Sequence, residues 1–143
     1  MKMHKPGCQC QHHRSKGTLL KKYINAKSGR PKTMPQQFGT EMLAAFQLLN
    51  STGNASQIWR HLERAHIVCQ SSAWRHFAIH SIMLCFAFMS RDWKEFLGQV
   101  PKTILAVPQS LLGFTAAGNT GRSSVGAFEK MPVPPDLAHF VAR

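Results

Sequence analysis

The sequence predicts an all-α protein: a compact bundle of about four helices at residues 35–143 with an irregular C-terminal wrap, behind a disordered basic tail at residues 1–34. Three observations point that way. Apolar residues recur three and four positions apart in successive windows after Pro35, the spacing that lines one face of an α-helix. Capping residues such as Asn54 and Asp92 stand between those windows. Apolar residues also make up 43% of the 143-residue chain, enough for one modest core.

The tail is set apart by charge. Nine of the 18 basic residues precede Met34, and none of the six acidic ones does. Its Gly, Pro, Lys, Ser and Gln residues show no sustained apolar period, the composition of a disordered segment. Only Leu19, Leu20, Tyr23 and Ile24 form a short apolar group there. The tail also holds Cys8, Cys10, His12 and His13. Thiolates and imidazoles at such short spacing suit Cu or Zn, although a lone Cys-x-Cys is not a closed zinc signature.

Helix one is expected at 35–49, with Thr33 as cap, Pro35 in the first turn, and Phe38, Met42, Ala45, Phe46 and Leu49 at helical spacing. The following loop carries Gly53 as a helix stop, and Asn54 or Ser56 caps helix two at 55–70, the Asn54 to Gln57 spacing approximating a capping box. Its stripe is Ile58, Leu62, Ala65 and Cys69. This pair resembles a tetratricopeptide-type hairpin, but no second copy follows, and a single unit cannot bury its face alone. Helix three, 72–89, is apolar on several sides and so central to the domain. Asp92 and Glu95 begin helix four at 92–106, which Phe96, Leu97, Val100, Ile104 and Leu105 continue and Pro101 splits or kinks. Pro108 to Gly113 reads as one more short helical turn, and Leu137 to Val141 as a closing turn.

Four of the eight histidines fall between His61 and His80. Glu63 and His66 share one helix face, and His76 and His80 share another. His66 and His76 lie equally far from a turn at Ser71, so an antiparallel hairpin sets them at one height, with Glu63 and His80 about 5.4 Å further out. If both faces point into the seam, one carboxylate and three imidazoles meet. Mixed nitrogen and oxygen donors suit Zn, or Fe, Co or Ni. The bland alternative is a hydrogen-bonded core network in which Glu63 pairs with one or more histidines or with Arg64, or faces solvent.

Three stretches carry a family resemblance: His61-Leu-Glu-Arg-Ala-His66-Ile with Gln70 and His80, then Gly118-Asn-Thr-Gly121-Arg122, then Met131-Pro-Val-Pro-Pro-Asp136-Leu137. Together and in that order they resemble the bacterial domain-of-unknown-function family 3703, over about residues 36–143. The resemblance implies one compact helical bacterial domain and leans toward metal handling. It assigns no residue a role.

Three functions compete. The first is metal binding at Glu63, His66, His76 and His80, with a secondary tail site at Cys8, Cys10, His12 and His13, and a metal-trafficking partner. The second is a non-enzymatic helical interaction module that presents Trp59, Trp74 and Trp93 as exposed anchors to a peptide or helical protein partner, recognisable by a large exposed apolar patch. The third is non-specific nucleic-acid binding through the tail's positive charge, which the single aromatic Tyr23 supplies poorly with stacking. An enzyme has least support, because no oxyanion hole or activated nucleophile can be picked out. The Gly118 to Ser124 stretch lacks the Gly-Lys-Ser/Thr ending of a phosphate-binding loop. Four cysteines without a scaffold spacing, no signal segment and no apolar run of about 20 residues predict a cytoplasmic protein with free thiols and no membrane span.

Deleting residues 1–33 is expected to leave the thermal unfolding midpoint nearly unchanged, because a disordered segment contributes little burial. A large drop would show instead that the tail docks through Leu19, Leu20, Tyr23 and Ile24.

Overall fold

A computed structural model describes Pro31, residues 33–51 and residues 53–141. The tail cluster of Cys8, Cys10, His12 and His13 lies outside the described residues. Five helices follow in order: α1 (Met34–Leu49), α2 (Ala55–Cys69), α3 (Ala73–Met89), α4 (Trp93–Leu111) and the single turn α5 (Ala138–Val141). No strand occurs among the described residues.

The helix starts follow the caps read from the sequence. The Thr33 hydroxyl accepts from Gln36 N, the Asn54 side chain from Ser56 N, and the Asp92 carboxylate from Glu95 N. Each satisfies one amide that the first helical turn leaves open. Helix α4 departs from expectation. It runs unbroken through Pro101 and Pro108 and ends at Leu111, beyond the expected 106. Pro101 and Pro108 both sit on its exposed side, so the inward hydrogen-bond ladder survives.

Helices α1 and α2 pack as one hairpin, α3 and α4 as another, and α2 meets α3 between them. The main core lies along this seam. Ala45 of α1, Leu62, Ala65 and Cys69 of α2, and Ile79, Met83 and Ala87 of α3 are almost wholly buried there. Trp59 meets Phe86 edge to face at 5.1 Å, a favoured aromatic geometry. A satellite cluster of Ile67, Val68 and fully buried Leu137 fastens the C-terminal segment onto α2. Arg64 reinforces this join by pairing with Glu41 of α1 and with Asp136.

Amphipathic helices ordinarily turn their apolar stripe to the core. Helix α4 does the reverse. Glu95, Gln99, Thr103 and Ala106 are buried, whereas Leu97, Ile104 and Leu111 are 68%, 70% and 74% exposed. The polar stripe faces the histidines.

Leu62→Ala is expected to lower the unfolding free energy by about 2–5 kcal/mol, the cost of a cavity at a fully buried site. Urea denaturation measures it, and a loss below about 1 kcal/mol would mean that the seam collapses to fill the space.

Candidate metal centre

His66 sits in the last turn of α2, and His76 and His80 in the first half of α3. The turn between them is the one that the sequence places at Ser71. All three rings are almost fully buried. His66 Nε2 lies 3.1 Å from His76 Nε2 and 3.1 Å from His80 Nε2. The three ligand atoms fall within 4.8 Å of one another, a group that could hold a metal ion.

The outer nitrogens fix what the inner ones are. His66 Nδ1 is 2.8 Å from Asn119 O. His80 Nδ1 is 2.8 Å from Gln99 Oε1. His76 Nδ1 is 3.1 Å from Ala106 O and 2.8 Å from Ser110 Oγ. Carbonyl oxygens only accept. The Gln99 amide nitrogen donates to Glu95 and to Gly121 O, so its oxygen must face His80. The Ser110 hydroxyl donates to Gln70 O, so its oxygen accepts from His76. Each neutral ring therefore carries its proton on Nδ1 and turns a bare Nε2 lone pair inward. An acceptor behind each ring is the arrangement that orients metal-ligating histidines.

A chain of polar groups stands behind His80. Glu95 receives Gln99 Nε2 at 2.7 Å, Ser123 N at 3.0 Å and Ser123 Oγ at 2.7 Å. Burial pushes its carboxyl up, but these hydrogen bonds outweigh it and the net shift is downward. The loop after α4 supplies the rest. Asn119 O also accepts from Gln70 Nε2 at 3.0 Å. Gly121, at φ 79°, lies against His66, where an added Cβ would stand 2.8 Å from the ring. Only glycine fits that backbone and that approach. Lys102 Nζ ties the loop down through Gly121 O, Arg122 O and Val125 O, and burial lowers its pKa.

The structure brings together three of the four residues picked from the hairpin and leaves Glu63 apart. The Glu63 carboxylate pairs with Arg122 at 3.3 Å. Arg122 is held between Glu63 and Glu95, with its guanidinium 4.0 Å above the Trp59 ring. The carboxylate is thus committed to Arg122 and is not one of the atoms gathered with the histidines. Burial raises the pKa of Glu63, and Arg122 opposes that. The acidic group linked to the triad is Glu95, through Gln99. From the sequence, Gln70 and Asn119 figure only as carriers of the family resemblance, and Gln99 and Ser110 have no role. The available signal was the polar series Glu95, Gln99, Thr103 and Ser110 on a helix otherwise rich in leucine, isoleucine and valine.

Cys69, three residues from His66, is no part of the group. It is buried, its thiol donates to His66 O at 3.6 Å, and burial pushes its pKa up. Among the described residues, no helix is long and apolar enough to cross a membrane.

Residues 32–141 match the family described as a protein of unknown function, DUF3703. The chain belongs to that family. Comparison with curated proteins and with solved structures gives no match. In this member, the three stretches that carried the resemblance build one region: the triad on α2 and α3, the Asn119–Gly121 loop against His66, and Leu137 against α2.

Burial also sets how the rings titrate. It holds His76 and His80 down at about 4, against the opposing pull of Ala106 O and Gln99. Burial, then the neighbouring His80 and His76, push His66 well below its ordinary 6.5. Between about pH 6.5 and 4 the unfolded chain takes up protons that the folded chain refuses, so stability falls as pH falls. Thermal unfolding of the metal-free protein should show a plateau above about pH 7 and a fall of the midpoint toward pH 4. A midpoint flat over that window would place the rings in contact with solvent.

Proposed function

We propose that the protein binds one first-row transition ion through His66, His76 and His80 and serves in metal handling. The observation that carries this is the convergence of three unprotonated Nε2 atoms whose partner nitrogens are all committed outward. Lone pairs at 3.1 Å repel unless a cation lies among them. Burial, which lowers all three pKa values, disfavours a proton in that role. Bonds of about 2.0–2.1 Å to one ion separate tetrahedral donors by about 3.3 Å and facial octahedral donors by about 3.0 Å. The two separations from His66, 3.1 Å each, suit either geometry, and all three ligand atoms lie within 4.8 Å of one another.

The donor set is wholly imidazole, which suits Zn(II) and also Cu, Ni, Co or Fe, and offers little to Mg or Ca. Three neutral ligands leave the ion's charge uncompensated. Glu95 supplies the nearest linked negative charge, at second hand through Gln99. Beside the three rings lies a cavity of about 10 Å³, lined also by Gln70, Lys102, Gln109 and Asn119. That is room for about one water-sized ligand. So closed a site fits retention and transfer of an ion better than turnover of an organic substrate.

Elemental analysis of untagged full-length protein tests this. About one ion per chain is expected, lost in His66→Ala and His76→Ala and kept when Cys8, Cys10, His12 and His13 are all replaced by alanine. Gln99→Leu should weaken binding about 10–100-fold, because it removes the acceptor that orients His80. Added zinc should raise the thermal midpoint of the wild type. No stoichiometric metal together with an unmoved midpoint would return the histidines to the role of core residues. Metal lost only with the tail substitutions would move the site to the tail.

A further inference from the structure

The outward face of α4 is a continuous apolar stripe with a regular repeat. Trp93, Leu97, Val100, Ile104, Val107 and Leu111 follow one another at steps of four, three, four, three and four. Those steps are the a and d positions of a heptad seam, here sustained for six consecutive positions. Trp93, Leu97, Ile104 and Leu111 are each more than half exposed, and Leu105 and Leu112 widen the stripe. At these exposures the face offers roughly 800 Å², the share of one partner in a standard protein interface. Monomers rarely leave a contiguous apolar patch beyond a few hundred Å² open to water.

We propose that this face pairs with the same face of a second copy of the chain, helix against helix about a two-fold axis. A heptad seam packs best against another of the same repeat, and a second copy supplies one of equal length. The charges favour the antiparallel arrangement. Lys94 is the one charged residue on the exposed side of α4. Antiparallel pairing sets it beside the negative C-terminal end of the partner helix, whereas parallel pairing would set two lysines and two positive N-termini together.

A lipid surface fits less well. Helices that lie on membranes flank their apolar face with Lys and Arg. Lys102, the other cation on α4, is turned inward onto three carbonyls. Cover by the chain's own tail also falls short. Leu19, Leu20, Tyr23 and Ile24 span six residues, about 9 Å of helix, against about 28 Å for α4. The pairing does not depend on metal, because the seam residues lie on the solvent side of α4 whereas Gln99, which meets His80, is buried.

Sedimentation of the full-length protein over about 1–100 μM tests the pairing, a range that reaches the weak end of standard interfaces. Twice the chain mass is expected. Leu97→Lys with Ile104→Lys should give a monomer, a weakening of at least about 100-fold, with helicity by circular dichroism unchanged. Leu97→Ala, which adds no charge, should weaken the dimer without abolishing it. A wild type that stays monomeric at about 100 μM overturns the proposal, and so does a dimer that survives the double lysine variant. A monomer that co-floats with anionic vesicles would assign the face to lipid. A monomer that dimerises only after Leu19→Ser and Tyr23→Ser would assign it to the tail.

Discussion

Three bare imidazole nitrogens gathered within 4.8 Å of one another form the constraint on which the rest of this structure depends. An acceptor cannot satisfy an acceptor, and in a dry interior the mismatch is costly. Holding it requires that every ring be fixed from behind. The protein does this with four different oxygens: a loop carbonyl at His66, an amide oxygen at His80, and a helix carbonyl with a hydroxyl at His76. Gln70 in turn holds the loop carbonyl and the hydroxyl, and Glu95 holds the amide. Much of the polar interior is explained by this one demand.

That demand also accounts for the inverted helix. The buried stripe of α4 must carry Gln99, Ala106 O and Ser110 to the histidines, with Glu95 behind them. A helix has one stripe to give to the interior, and here the polar groups occupy it. The leucines, isoleucine and valines that would otherwise fill the core are left to the outside. The core itself is supplied by α1, α2 and α3.

The sequence disclosed the helices well because their signals are local. Thr33, Asn54 and Asp92 cap where they were read to cap, and Ile58, Leu62, Ala65 and Cys69 are buried as one stripe. The hairpin symmetry about Ser71 correctly paired His66 with His76. Glu63 misled because helical spacing fixes which residues share a face but not what else competes for them. Arg122 is 59 residues away in the chain, and no local pattern could disclose it. The direction of α4 was hidden for a similar reason. Apolar spacing shows that a helix has two sides, but only tertiary contacts decide which side turns inward. The Gly118–Gly121 turn looked like a failed phosphate loop, and its glycine proved to be shaped by the ring of His66.

The place of Cys69 has a consequence for redox chemistry. Its thiol stays protonated beside His66, and none of the three convergent atoms is sulfur. Peroxide and disulfide exchange act on thiolates, so they find nothing to convert in this group of rings. In the sequence, Cys8 and Cys10 stand close to His12 and His13, and a proposed site there would depend on thiols. Among the three gathered imidazoles, by contrast, thiol oxidation finds no ligand atom to convert.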